Sequence, residues 1–136
     1  MFSIPALIAA SALTLQPAET AVIEITFDVG VQQGAVMVAL FDSEGAYDSD
    51  QRLRGAMVDV ASGERVARFE GLPPGDYALK TFHDVNGDGR MNTNPFGMPA
   101  EPYAFSNNAV GNMGPASWER ARFTVSGETR QTLVLR

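Results

Sequence analysis

Oxygen-bearing side chains alternate along residues 84–92, which read Asp-Val-Asn-Gly-Asp-Gly-Arg-Met-Asn. Asp84, Asn86 and Asp88 stand at every second position, and Gly89 follows at the sixth position of the loop. One short loop wraps a hard cation such as calcium with this spacing, because carboxylate and amide oxygens are its preferred ligands and the glycine permits a sharp bend. The pattern therefore predicts a calcium-type metal site.

The remaining ligands of this site must come from other positions. Arg90 would offer its backbone carbonyl, and Asn92 would bind directly or through a water. The helix–loop–helix form of such a loop has a bidentate Glu at its twelfth position, which is Pro95 here, so the loop is not an EF-hand. Glu101 is the nearest carboxylate downstream that could close the site. Three other acids would serve if the loop that holds them folded over: Asp42, Glu44 and Asp48.

The same loop has a metal-free interpretation. Asn, Asp and Gly form tight turns unaided, because their side chains hydrogen-bond to the nearby backbone. Under this alternative, residues 84–92 are a surface turn and bind nothing. If the loop does bind calcium, its low charge predicts a dissociation constant of about 10⁻⁴ to 10⁻³ M, as in extracellular modules.

Aromatic residues cluster in and after this loop. Tyr103, Phe105 and Trp118 could form a platform for a carbohydrate-like ligand, since aromatic rings offer large apolar faces. The alternative is that they pack a long loop onto the body of the domain. We keep the carbohydrate-binding interpretation as the second candidate function.

Catalytic chemistry has little support in the sequence. His83 is the only histidine and stands beside Asp84, yet no serine or cysteine motif accompanies it. The chain contains no cysteine, which excludes thiol chemistry and cysteine-ligated zinc or iron–sulfur sites. We therefore expect a protein that is not an enzyme.

The net charge of the chain limits which partners are expected. The 136-residue chain has a formal net charge of -6. Nucleic acids and anionic membranes are bound by clustered Lys and Arg, so neither is an expected partner. A protein or a glycan partner remains open, and no membrane span is expected in the mature chain.

The first 18 residues carry no charge and contain a short apolar run flanked by small residues. This pattern is typical of a secretory signal peptide, although no Lys or Arg precedes the run. We assign residues 1–21 to the signal peptide and residues 22–136 to one domain, with candidate cleavage after Ala12, Ala18 or Ala21. The mature protein is then expected to be secreted or periplasmic.

The remainder of the chain alternates with the period of β-strands. Ile23, Ile25 and Phe27 alternate with polar residues, and residues 34–41 form a nearly continuous apolar run. Further strands are predicted over residues 57–61, 65–70, 76–83, 120–125 and 129–135, with a surface loop over 42–51. No segment has a convincing helical pattern. The sequence predicts an all-β fold, a single antiparallel β-sandwich of about seven strands, with one long ordered loop over residues 84–115.

Two stretches resemble known families. Residues 69–77 read Phe-Glu-Gly-Leu-Pro-Pro-Gly-Asp-Tyr and resemble the strand–turn–strand of prealbumin-like and carboxypeptidase regulatory-like sandwiches. The longer run over residues 69–109, with its His-Asp-Val-Asn-Gly-Asp-Gly-Arg-Met-Asn segment, resembles the bacterial family called domain of unknown function 2141 (DUF2141). The resemblance covers about residues 22–135. It implies an immunoglobulin-like or prealbumin-like sandwich and an exported bacterial protein, and it implies no settled activity.

Overall fold

The computed structural model describes residues 20–90 and 100–136, and this part of the chain forms eight strands and two short α-helices. The strands are β1 (Ala21–Val29), β2 (Ala35–Phe41), β3 (Arg54–Val58), β4 (Val66–Leu72), β5 (Gly75–Asp84), β6 (Tyr103–Phe105), β7 (Phe123–Val125) and β8 (Glu128–Leu135). The helices are α1 (Glu44–Asp48) and α2 (Trp118–Ala121), and two 3-10 turns cover Val60–Ser62 and Ser106–Asn108. The fold is mostly β, which agrees with the all-β prediction except for the two helices. Helix α2 includes the first two residues of the strand predicted over residues 120–125, and β7 begins only at Phe123.

The strands form two sheets. One has the order β4-β1-β8, and the other has the order β3-β2-β5-β6, with β7 also paired to β5. All pairings in the described residues are antiparallel except one, since β1 runs parallel to β8 from Val22 opposite Glu128 to Val29 opposite Leu135. The prediction of an antiparallel sandwich was therefore wrong for the β1–β8 pair. Parallel strands need a long connection, and the chain between Val29 and Glu128 provides it.

The main hydrophobic core draws on both sheets. Ile23, Ile25 and Phe27 of β1 are buried, whereas Glu24 is half-buried and Thr26 is exposed, as the alternation predicted. Val36, Val38 and Leu40 of β2 and Tyr77 and Leu79 of β5 belong to the same buried cluster. Successive side chains of a strand point to opposite faces, so the remaining residues of β2 and β5 line the other face of their sheet, called here the outer face.

A second, smaller cluster covers one end of the outer face. Its buried members are Phe41, Tyr47, Ala78, Phe105, Ala116 and Ala121. The Tyr47 hydroxyl donates a hydrogen bond of 2.5 Å to the carbonyl of Ala116, and the Lys80 ammonium lies 4.2 Å from the centre of the Tyr47 ring. The surface loop predicted over residues 42–51 therefore contains helix α1, and Tyr47 of this helix is buried. The polar residues around Tyr47 gave no indication of this burial.

Other boundaries differ from the prediction at the two edges of the second sheet, which are β3 and β6. Strand β3 begins at Arg54, earlier than predicted, and a 3-10 turn occupies Val60–Ser62. Strand β6 lies inside the predicted long loop, which brings the number of strands to eight among the described residues. Short edge strands such as β6 have too few residues to show a period, so their pairing is decided by the neighbouring strand.

Candidate metal centre

The centre of the predicted site is a pair of neighbouring chain segments on the outer face. Strand β5 ends at Asp84, and its pairing with β6 places Phe82 opposite Tyr103. The same register continues beyond β6, because the backbone N–H of His83 donates a hydrogen bond of 2.8 Å to the carbonyl of Pro102. Carried one residue further, this register places Asp84 opposite Glu101. Glu101, the carboxylate predicted to close the site, is therefore a cross-strand neighbour of Asp84.

Three carboxylates come together at this point. Ligand oxygens of Asp84, Asp88 and Glu101 all lie within 4.8 Å of one another. Two oxygens bound to one calcium at about 2.4 Å can be at most about 4.8 Å apart, so this spacing allows all three groups to share one ion. Asp84 and Glu101 are buried, with 3% and 9% of their surface exposed, and Asp88 is exposed. The cluster could hold a metal ion.

One oxygen of the cluster favours a bound cation. Oδ1 of Asp84 is buried and has no hydrogen-bond partner among the described residues. A buried carboxylate oxygen without a partner loses its hydration and gains nothing in return, a cost of a few kcal/mol. A cation is the partner that a carboxylate surrounded by two further carboxylates would accept.

Backbone hydrogen bonds fix the positions of the carboxylates. The N–H of Gly89 donates to Oδ2 of Asp84 at 2.7 Å, and the N–H of Val85 donates to Oε2 of Glu101 at 2.7 Å. Gly89 has a φ of +74°, a conformation that L side chains rarely adopt, so the bend predicted at the sixth position is present. The loop therefore folds back over the end of β5.

Gly34 holds the other side of Asp84 in place. A Cβ atom at this position would lie 1.9 Å from the backbone oxygen of Asp84, and the φ of Gly34 is +62°. Only glycine allows the turn before β2 to come this close to the end of β5. This contact is a functional position that the sequence analysis missed. The indication of this contact in the sequence was that Gly34 directly precedes an apolar strand.

The metal-free interpretation accounts for part of the loop. The N–H of Asp88 donates to Oδ1 of Asn86 at 3.2 Å, and the N–H of Arg90 donates to Oδ1 of Asp88 at 2.8 Å. These are the local turns that such residues form unaided. They do not account for Glu101, which comes from a distant segment, or for the unpartnered oxygen of Asp84. The two buried carboxylates thus favour the metal site.

The other predicted ligands have less support. Asn86 and Arg90 are exposed, and Asn92 lies outside the described residues. The alternative acids belong to or flank α1, which follows β2, whereas Asp84 pairs with the first residue of β2. The full length of that strand, about 20 Å, separates them from the site. Of the four closing acids considered, the structure brings Glu101 into the cluster and not Asp42, Glu44 or Asp48.

His83 stands beside the cluster but faces the opposite side of the sheet. It is fully buried, and its Nε2 lies 2.6 Å from the carbonyl of Gln33. Because a carbonyl only accepts, Nε2 carries the proton, and Nδ1 is buried without a hydrogen-bond partner among the described residues. No described Ser or Thr shares a hydrogen bond with this ring.

The three aromatic candidates occupy different environments. Phe105 is buried in the second cluster and contacts Tyr103 edge-on, with ring centres 5.7 Å apart. Trp118 is half-buried and packs edge-on against Tyr47 at 5.9 Å. Tyr103 keeps 45% of its surface exposed. Of the three, Tyr103 offers the largest free surface, and it is the one nearest the carboxylates in the chain.

A family described as "Uncharacterized protein conserved in bacteria (DUF2141)" matches residues 24–133, which is most of the chain. The chain belongs to this family. In this DUF2141 protein the matched region includes all three carboxylates of the cluster. No curated protein and no solved structure shows a significant match to the chain. Within the described residues, no helix has the length and apolar character needed to cross a membrane.

Proposed function

We propose that this protein is a non-catalytic, calcium-stabilised module with a structural or interaction role. The observation that carries the proposal is the buried Asp84 carboxylate, whose Oδ1 lacks a hydrogen-bond partner among the described residues and lies within a cluster of three acids. The ion would bind Asp84, Asp88 and Glu101 and complete its shell with further oxygens. Asn86, Arg90 and Asn92 keep the supporting roles that the loop spacing predicts.

Calcium suits this donor set better than other common cations. Every candidate ligand atom is an oxygen, which disfavours zinc, since zinc prefers nitrogen and sulfur. Magnesium requires near-ideal octahedral geometry and retains most of its waters. Calcium accepts six to eight oxygens in irregular arrangements, as a loop and a separate strand would provide.

The test is calorimetric unfolding of the protein with calcium and with a chelator. At a free calcium concentration of 100 times Kd, binding should stabilise the folded state by about 2.7 kcal/mol, which raises Tm. Asp84→Asn should abolish the rise, because it removes the charge while keeping the size of the side chain. Asp48→Asn is the matched control, since Asp48 is exposed at the end of α1, and it should respond like the parent.

Two results would count against the proposal. If the parent shows the same Tm in calcium and in chelator, the cluster holds no calcium. If Asp84→Asn responds to calcium as strongly as the parent does, the ion binds elsewhere. Titration with magnesium in the same calorimeter separates a calcium site from a general divalent site.

We also propose that the protein is exported, with residues 1–21 containing its signal peptide. Ala21 is fully buried in β1 opposite Leu72, which favours cleavage after Ala12 or Ala18 over cleavage after Ala21. Expression in a bacterium, separation of periplasm from cytoplasm and N-terminal sequencing would test this. Cytoplasmic protein with an intact N-terminus would contradict it.

The fold proposal is a β-sandwich of the immunoglobulin-like or prealbumin-like class. Two sheets that share one hydrophobic core support it. The expected partners are a protein or a glycan. The second candidate function, carbohydrate binding, is supported by the exposed ring of Tyr103. Phe105 would support that ring by packing against it, whereas Trp118 packs against Tyr47.

A further inference from the structure

The exposed ring of Tyr103 and the carboxylate cluster lie side by side on the outer face. Asp84 faces Glu101, and Phe82 faces Tyr103 one step along the same pair of segments. Residues two apart in an extended segment point to the same face and lie about 7 Å apart. A bound ion and the Tyr103 ring would therefore be close enough for one small molecule to touch both.

The Tyr103 ring is held in place without being covered. Phe105 supports it edge-on, with an interplanar angle of 70°, and is itself only 7% exposed. Tyr103 retains 45% exposure. Because packing already restricts this ring, it loses little conformational entropy when a ligand stacks on its exposed face. This favours Tyr103 as an aromatic contact surface for a ligand.

Among the described residues, the ion would lie between two buried carboxylates and one exposed carboxylate. Asp84 and Glu101 approach from the buried side, and Asp88 comes from the exposed loop. Calcium takes six to eight oxygens. The three carboxylates together with Asn86, Arg90 and Asn92 would supply six when each binds through one oxygen, so eight-fold coordination leaves two positions for water or for two oxygens of a ligand.

The surface beside the ion has room for such a ligand. A groove of about 630 Å³ is lined by Tyr103, Asn108 and Arg136, and Glu101 is the carboxylate of the cluster that also lines it. This volume is within the range of about 300–1,000 Å³ that is typical of small-molecule sites. The groove is open to solvent and is lined by both polar and apolar side chains. Such a lining suits a ligand that has many hydroxyl groups and one apolar face.

We propose that the bound calcium ion is itself a ligand-binding group, and that its ligand is a carbohydrate with two neighbouring hydroxyls. The hydroxyl pair would replace water on the ion, and the apolar face of the sugar ring would stack on Tyr103. Three carboxylates around one calcium leave a net charge of -1, so a neutral polyol is favoured over an anion. The inference depends on the proposed calcium site.

Saturation-transfer NMR of the whole protein with methyl mannoside and methyl galactoside tests the inference, since their hydroxyl pairs have different orientations. We expect saturation of at least one sugar in calcium and a loss of about tenfold or more in chelator. Tyr103→Ala should lose the sugar signal, while its calcium affinity by calorimetry stays within about twofold of the parent. Tyr103→Trp should restore the signal. Met113→Ala is the matched control, because Met113 is fully exposed outside the groove.

The outcomes separate the two proposals. A parent that binds calcium but saturates neither sugar overturns the inference and leaves the calcium site standing. A sugar signal that persists in chelator, or with a mannoside methylated at its 3- and 4-hydroxyls, also overturns it. A parent that binds no calcium overturns the proposed function, and the inference falls with it.

Discussion

Asp84 and Glu101 are buried carboxylates that lie opposite each other on neighbouring segments of one sheet, although they are far apart in sequence. Like charges in directly opposite positions destabilise a sheet, and burial makes the repulsion stronger. Backbone N–H groups satisfy one oxygen of each residue, but Oδ1 of Asp84 has no such partner among the described residues. A cation relieves both the repulsion and the missing contact, and this relationship supports every prediction about the site.

Glu101→Gln should have opposite effects with and without calcium. In chelator, the variant should be more stable than the parent, by about 1 kcal/mol, because it removes a like-charge pair while an amide oxygen can still accept from Val85. In saturating calcium, it should be less stable than the parent, because it loses a charged ligand. Thermal unfolding under both conditions measures the difference. Glu44→Gln, at the exposed start of α1, should change neither value by more than about 0.5 kcal/mol.

An unchanged order of stability in the two buffers would contradict this prediction. If the variant is the more stable protein in both buffers, Glu101 is not a calcium ligand. If the parent is the more stable protein in both, the two carboxylates repel each other no more than exposed acids do.

Gly34→Ala should destabilise the protein by about 3 kcal/mol or more and weaken calcium binding. The new Cβ would clash with the backbone of Asp84 and would also occupy a left-handed φ of +62°. Gly63→Ala is the matched control: its φ is +100°, but a Cβ added there would have no atom within 4 Å, so it should cost only about 1 kcal/mol. Urea unfolding gives both values. Equal costs for the two variants would show that the close approach to Asp84 is not rigid.

Asn108 should stabilise the edge of β8. Its amide nitrogen donates to the carbonyl of Thr132 at 2.8 Å, and its amide oxygen accepts from the N–H of Val134 at 3.0 Å, so it acts as one residue of an additional strand. Asn108→Gly should cost about 1–2 kcal/mol, since glycine keeps the φ of +51° but loses both bonds. Asn108→Ala should cost about 1 kcal/mol more, because alanine is strained at that φ.

Asn112→Gly is the control for the flexibility of glycine, because Asn112 is exposed in the following loop. Chemical denaturation of the three variants and the parent provides the comparison. If Asn108→Gly proves as stable as Asn112→Gly, the two hydrogen bonds contribute nothing measurable.

Tyr47 should make the protein sensitive to alkali. Burial, followed by the nearby Asp48 and Asp50, raises the pKa of Tyr47 from 10.0 to about 12. The folded state therefore holds this proton more tightly than the unfolded state does. The contribution of about 2.7 kcal/mol is complete below pH 10 and is lost as the pH rises through about 12.

Tyrosinate absorbance and unfolding free energy, both measured between pH 9 and 12.5, would follow this loss. Tyr47→Phe should be less stable at neutral pH, because the hydrogen bond to Ala116 is gone, and its stability should fall less steeply above pH 10. A parent and a variant with parallel curves would contradict the prediction.

The sequence alone predicted the features that depend on neighbouring residues. The alternation of Ile23, Ile25 and Phe27 identified β1 and its buried face, because strand periodicity depends only on neighbouring residues. The turn-forming loop that follows Asp84, including the bend at Gly89, was also predictable, since side chains there bond to backbone groups a few positions away.

Tertiary structure decided which distant groups meet. The parallel pairing of β1 with β8, the burial of Tyr47 and the choice of Glu101 over Asp42, Glu44 and Asp48 all depend on contacts between remote segments. The spacing of residues along the chain does not show which distant segments are in contact. They follow from the register of β5 with β6 and from the packing of two sheets around one core, so the carboxylate cluster exists only once the chain has folded.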